Sequence, residues 1–267
     1  MTTVKELSNL KGRRALITGA AGGIGHVFAE TLAELGADLI LVDLPGTGLV
    51  GLADKVVKEW GVSVNNIFCD LENQNQRSDL IKQVTTFKGD LNILVNNAAL
   101  VGSSELEGWN VPFEEQSIDT WRRAIEVNLT AVFDLCQGLF PTMKNAVGAN
   151  IVNIASIYGS YGPHWSLYEG SKMGNPAAYA ATKGGLIQLT RWLATTVAPA
   201  VRVNAISPGG VMANQPNSFV HRYGSMTPLS RMASVNDFKG AMSFLASDLS
   251  SYVTGHILEV NGGWGVW

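Results

Sequence analysis

Two regularities predict an α/β fold built on a mainly parallel sheet. Seven short apolar runs alternate with longer amphipathic segments, and a glycine-rich turn joins the first run to the first helix. The runs are near-continuous in Val, Ile, Leu and Ala rather than alternating with polar residues. That is the pattern of strands covered by helices on both faces. Strands are expected at 14–18, 38–43, 65–70, 91–97, 149–156, 201–207 and 256–260. Helices are expected at 24–36, 52–61, 77–87, 121–140, 176–197 and 235–247, each with apolar residues three and four apart. No break in composition interrupts the alternation, so 1–267 reads as one doubly wound, seven-stranded domain. The stretch 214–231, between and around Pro216 and Pro228, reads as a long connection of the kind that forms a substrate lid.

Composition narrows the function. The net charge of −3 comes without a basic block, which argues against a nucleic-acid surface or a lipid anchor. Cys69 and Cys136 lie in apolar stretches and are expected to be reduced core thiols, and no metal-ligand spacing is present. With no signal peptide or membrane-length run, the expected location is the cytoplasm.

The turn TGAAGGIG, Thr18 to Gly25, follows the first strand and opens the first helix. Gly19, Gly23 and Gly25 let the chain turn sharply and bring backbone N–H groups at a helix N-terminus close to a pyrophosphate. This makes the domain Rossmann-type. Asp43 ends the second strand 18 residues after Gly25, where a carboxylate accepts from both adenosine ribose hydroxyls and repels a 2′-phosphate. No Arg or Lys stands at 44–46, so NAD(H) is expected over NADP(H).

Tyr-x-x-x-Lys occurs twice, at Tyr168/Lys172 and Tyr179/Lys183. On a helix, i and i+4 share a face, so a lysine ammonium can favour the phenolate that takes or gives an alcohol proton. The second pair meets that need. Asn175 and Pro176 read as a helix cap and first turn, followed by good helix formers. Gly170 and Gly174 disfavour a helix around the first pair, which leaves it in a loop.

The spacing G-x-x-x-G-x-G, with NNAA after the fourth strand, resembles the short-chain dehydrogenase/reductase family across almost the whole chain. The resemblance implies a tetrad of Asn128, Ser156, Tyr179 and Lys183: Ser156 binds the substrate oxygen, and Asn128 holds a proton-relay water. It also implies cofactor contacts from Ile24, Asp70, Leu71, Asn97, Ala98 and Ala99, from Lys183 and Tyr179, and from Pro208, Gly209 and Val211. The chain departs from the family at Ala99, usually glycine, and at Ala213, usually threonine. The interval from Ser156 to Tyr179 is 23 residues, longer than the family pattern, so an insertion is expected within 157–175. It brings His164, Tyr168 and Lys172 as candidate substrate contacts. His221 in the lid is a fourth.

The wording YEGSKMGNPAAY and SPGGVMANQPNSFVHRY resembles a subset of the family associated with nonulosonic-acid and surface-glycan biosynthesis, which implies a carbohydrate-like alcohol or ketone. An NAD-retaining sugar epimerase or dehydratase on the same fold is the alternative activity. The family also implies dimers or tetramers paired through the helices around 121–140 and 179–197, and Trp264 and Trp267 are expected at a subunit boundary.

Overall fold

The computed structural model describes residues 2–267. Its strands are β1 (Arg14–Thr18), β2 (Asp38–Asp43), β3 (Val64–Phe68), β4 (Ile93–Asn96), β5 (Asn150–Ile154), β6 (Arg202–Pro208) and β7 (Ile257–Val260). Its helices are α1 (Val4–Leu7), α2 (Gly23–Glu34), α3 (Leu49–Trp60), α4 (Gln74–Thr86), α5 (Ile118–Ile125), α6 (Ala131–Met143), α7 (Ala177–Thr196), α8 (Asn217–Ser225) and α9 (Lys239–Ala246). The strands form one sheet in the order β3-β2-β1-β4-β5-β6-β7, and every pairing is parallel. The expected sheet is therefore wholly parallel.

Strand alternation explains the unbroken apolar runs. Ala15 and Ile17 of β1 and Leu39 and Leu41 of β2 pack with Phe28, Leu32, Leu52 and Met242 from α2, α3 and α9. The residues between them, Leu16, Ile40 and Val42, pack on the other face with Leu80, Leu135, Leu139 and Leu186 from α4, α6 and α7. Both side-chain sets are buried, so the interiors of these strands are apolar on both faces and polar residues stand only at their ends. The chain reverses its direction of progress across the sheet between β1 and β4. The crevice at their carboxyl ends is where such folds bind ligands.

Local chemistry sets the helix ends. The Asn73 side chain accepts from the backbone of Asn75 and Gln76 to start α4, and Ser117 accepts from Thr120 to start α5. Gly61, at φ 68°, ends α3 in the left-handed conformation. Between α5 and α6 the backbone widens into a π-turn over Glu126–Thr130. Buried Arg77 braces this turn, pairing with Glu126 and Asp134 at 2.7 Å each. Asn175 does not cap α7 as expected. Pro176 takes the cap position, and the Gln116 side chain accepts from Ala177 N at 3.1 Å.

The segment 157–175 is ordered around 3₁₀ turns at Ile157–Gly159 and Trp165–Leu167. The expected lid at 214–231 contains α8, and the two segments pack together. Leu167, Tyr168, Phe219, Tyr223, Met232 and Trp264 share one apolar cluster. Trp264 stacks on Tyr223 with ring centroids 4.7 Å apart, so it packs inside its own chain rather than at the expected subunit boundary. Trp267 is exposed. Arg222 of α8 donates to the Leu167 carbonyl at 3.0 Å and to that of Glu169 at 2.6 Å.

Charge-assisted hydrogen bonds of this kind contribute about 1.5–3 kcal/mol. Arg222→Ala is expected to speed amide exchange across 160–175 by about 10-fold or more while leaving global unfolding nearly unchanged. Unchanged protection in that segment would show that Arg222 does not hold it.

Candidate active site

The carboxyl ends of β1, β2, β4, β5 and β6 open into a cleft of about 1340 Å³. Its floor at one end is the glycine-rich turn. Gly19 sits at φ +62°, and a Cβ there would lie 2.8 Å from the Ala98 Cα. A Cβ on Gly25 would come within 2.1 Å of the Gly19 carbonyl oxygen. These two glycines are required by packing within the chain. Gly23 is different. A Cβ there would meet nothing closer than 3.8 Å, yet the residue is the first of α2 and borders the cleft. No side chain caps α2, so its first-turn N–H groups lack a side-chain partner. The open space and the uncapped amides fit a pyrophosphate.

Asp43 lies at the cleft end of β2. Its two carboxylate oxygens accept from Ala21 N and Leu44 N at 2.8 Å each, which fixes the carboxylate and leaves a lone pair on each oxygen. Asp70 and Leu71 line the cleft as well, as does Ile24 of the glycine turn. Arg123 also borders it but is committed to Glu72, with bonds of 2.8 and 3.0 Å. Asn97 donates to the carbonyls of Thr18 and Gly19 at 3.0 and 2.9 Å, tying the end of β4 to the glycine turn, and Ala98 and Ala99 follow it along the cleft wall. Pro208, Gly209 and Val211 line the opposite wall. The Gly210 N–H donates to the Tyr223 hydroxyl at 2.6 Å. Ala213 carries no hydroxyl, and its N–H donates instead to the Gln215 side chain at 2.7 Å.

Ser156, Tyr179 and Lys183 also line the cleft. Tyr179 and Lys183 stand one turn apart on α7, with the Lys183 Nζ 5.7 Å from the Tyr179 ring centroid. The buried ammonium donates to the Ile154 carbonyl at 2.6 Å. Burial brings the Lys183 pKa down to about 8. Burial also pushes the Tyr179 phenol above its usual value, and the Ser156 side chain works in the opposite direction. Asn128 lies buried in the π-turn. Its side chain accepts from Leu100 N at 2.7 Å and donates to the Leu100 carbonyl at 3.0 Å and the Thr182 hydroxyl at 3.1 Å. Thr182 in turn donates to the Tyr179 carbonyl at 2.9 Å, so Asn128 reaches the tyrosine's own turn of helix.

The remaining sequence-derived candidates divide. Tyr168 and Lys172 line the cleft; His164 and His221 are exposed and do not. The His164 ring bonds instead to the Ser166 hydroxyl at 2.9 Å. Three further features carried no usable sequence signal. Tyr158 lines the cleft and bonds to Tyr168. Tyr223 holds Gly210. Asn175 borders the cleft with neither side-chain polar atom bonded. Cys69 and Cys136 are buried, with pKa values pushed up by burial to about 11 and about 12. Among the described residues, no cluster has metal-ligand composition and no helix is long and apolar enough to cross a membrane.

A parallel sheet with its cleft at the strand-order reversal, floored by an uncapped helix N-terminus, defines a dinucleotide-binding protein. A family model described as enoyl-(acyl carrier protein) reductase matches residues 19–265. The 3-oxoacyl-(acyl-carrier-protein) reductase of Aquifex aeolicus is 30% identical over 259 residues, 95% of this chain and 98% of its own. A gluconate 5-dehydrogenase from Burkholderia cenocepacia, solved with NADP and tartrate, has a TM-score of 0.86 at 29% identity, covering 99% of this chain and 100% of that one. An NAD⁺-bound xylitol dehydrogenase has a TM-score of 0.83 at 28% identity, covering 95% and 99%. The chain belongs to the short-chain dehydrogenase/reductase family of oxidoreductases.

Lys183 titrates at about 8 in the folded chain, below the ordinary 10.5 that it regains on unfolding. Between those values the unfolded chain binds more protons, so this group's destabilising effect is complete below about pH 8 and is relieved as pH rises toward 10.5. Lys183→Met is therefore expected to raise the Tm at pH 7 by several degrees, at about 2–4 °C per kcal/mol, and the gain should shrink above pH 8. Calorimetry across pH 6–10 checks this. A lower Tm at pH 7 would show that the bond to Ile154 outweighs the cost of burial.

Proposed function

We propose that the protein is an NAD(H)-linked oxidoreductase acting on a secondary alcohol or ketone of a polar, carbohydrate-like small molecule. One observation carries the reading: Ser156, Tyr179 and Lys183 line one cleft with the glycine-rich turn and Asp43, and Asn128 is bound to the same turn of α7. A bound oxidised nicotinamide supplies the hydride acceptor and a positive charge. The groups that would hold the cofactor are the N-terminus of α2, Asp43, the Asp70–Leu71 and Asn97–Ala99 segments, Lys183, and the backbone from Pro208 to Val211.

The protein's own part is proton transfer. Tyr179 takes the carbinol proton in oxidation and returns it in reduction, while the Ser156 hydroxyl donates to the substrate oxygen. Ionising a phenol at neutral pH requires about 3 units of pKa, about 4 kcal/mol. Burial of Tyr179 adds to that requirement, and an ammonium at roughly 6 Å in an effective dielectric of about 20 contributes about 3 kcal/mol, so Lys183 alone does not meet it. Asn128 positions the pair by holding Thr182 and Leu100.

Support for NAD(H) comes from Asp43, whose fixed carboxylate would oppose a 2′-phosphate, and from Arg123, whose guanidinium is engaged by Glu72. Similar structures carry either NADP or NAD⁺, so the preference rests on this chain's residues. Support for a hydroxylated substrate comes from the phenols and amides lining the cleft and from the gluconate and xylitol dehydrogenases among the similar structures.

Tyr179→Phe is expected to cut NAD(H)-coupled turnover by about 10³-fold while NADH still binds by fluorescence titration. Retained turnover would exclude Tyr179 as the proton-transfer group. Asp43→Ala is expected to lower the NAD⁺-to-NADP⁺ ratio of kcat/KM by about 10-fold or more. A wild type that prefers NADP⁺ would overturn the cofactor assignment.

A further inference from the structure

The segment 157–175 delivers two further phenols to the cleft that holds Tyr179. The Tyr158 and Tyr168 hydroxyls bond to each other at 2.5 Å, and both residues line the cleft. Both lie close enough to Tyr179 that an anion there would oppose their ionisation.

The two phenols are held by different parts of the chain. Tyr158 is two residues beyond Ser156, and its N–H donates to the Ser156 Oγ at 3.2 Å. The turn that carries it lies against α7: a Cβ on Gly159 would come within 2.7 Å of the Lys183 backbone. Tyr168 is fixed by its ring against Phe219 at 5.6 Å and Trp165 at 5.9 Å. Arg222 holds the carbonyl of the preceding residue, Leu167. Neither phenol is therefore free to swing away from the cleft.

Two phenols that share one hydrogen bond keep one O–H to donate and several lone pairs to accept. Near them the cleft wall is apolar, formed by Ile157, Met173, Phe219 and Met232. A donor–acceptor pair set against an apolar wall selects a ligand oxygen at that place, because a ligand without one leaves part of the pair unsatisfied. The family reading places the reacting oxygen at Tyr179 and Ser156. The backbone N–H of Tyr158 bonds the same Ser156 Oγ, which ties the phenol pair to the residue that binds that oxygen.

We propose that the Tyr158–Tyr168 pair is a specificity subsite for a second oxygen adjacent to the reacting carbon, so that the substrates are vicinal diols and their α-hydroxyketones. The inference rests on the oxidoreductase reading above. It adds to that reading a chemical class of substrate and a task for the longer Ser156-to-Tyr179 interval.

The test measures NAD(P)⁺-coupled oxidation of matched probes, 2-butanol against 2,3-butanediol and cyclohexanol against trans-1,2-cyclohexanediol. The proteins compared are the wild type, Tyr158→Phe, Tyr168→Phe and the double variant. The wild type is expected to favour the diols in kcat/KM by about 10-fold or more. Each single variant should lose about 10-fold on diols and stay within about 3-fold on mono-alcohols. The double variant should lose little more than either single one, because the pair acts as a unit. A wild type without diol preference, or variants that slow both probe types in parallel, overturns the subsite and leaves a purely structural pair. No turnover by the wild type of any probe or its ketone overturns the oxidoreductase reading itself, a result distinct from loss of preference.

Discussion

The ammonium of Lys183 is buried beneath the cleft, donating to the Ile154 carbonyl at the end of β5, and the arrangement around it follows from keeping a charge there. A buried ammonium needs a fixed acceptor, and the last residue of a central parallel strand provides one that cannot move. It also needs α7 to lie against the end of β5, which the turn over Ile157–Gly159 permits only because Gly159 lacks a side chain. That contact sets Ser156, the residue before the turn, against the helix that carries Tyr179. The π-turn at Glu126–Thr130 answers the same demand from the other side, since it places Asn128 on Thr182, next to Lys183 in the chain. The low pKa of Lys183 is the cost of this arrangement, and a positive charge beside the phenol is what it provides.

Much of this was legible in the sequence, and the reason is burial on both faces. β1 and β2 match their expected bounds because each ends where burial ends: Arg14 and Asp38 lead in from the surface, and Asp43 leaves toward the cleft. The Tyr179/Lys183 pair could be chosen over Tyr168/Lys172 because helix geometry is local and glycines exclude it from the first copy. The capping argument for α7 pointed to the right helix for the wrong reason. Asn175 is silent, and the cap comes from Gln116, 61 residues away, which local patterns cannot reveal. α8 was hidden for a related reason. Its apolar side is short and packs on residues of the insertion and the C-terminal turn, so its period is set by tertiary partners. Trp264 followed the same logic, being claimed by Tyr223 of its own chain.

The segment between Ser156 and Tyr179 is held differently from the elements of the sheet. The elements holding Asp43, Asn97 and Lys183 are strand ends and helix starts, whose positions the sheet dictates. The segment 157–175 is held instead by α8, through Arg222 and an aromatic cluster outside both main cores. Beyond the turn at Ile157–Gly159, which α7 constrains, it can therefore change in length or composition without disturbing the sheet. The first Tyr-x-x-x-Lys copy belongs to this layer. Its tyrosine is bonded to another phenol, and its lysine is exposed at the cleft rim, away from the buried environment that distinguishes Lys183.

The central claim is that one phenol, Tyr179, is poised for ionisation by a neighbouring fixed charge. Its direct test is a titration of the six tyrosines by NMR of ¹³Cζ-labelled protein, with and without NAD⁺, between about pH 6 and 11. Without the cofactor, burial should hold Tyr179 above the ordinary tyrosine value. With NAD⁺ bound, one resonance should titrate at least about 1 unit lower than before, and that resonance should be missing from Tyr179→Phe. If no phenol responds to NAD⁺, or the one that responds persists in Tyr179→Phe, the account of the site is wrong.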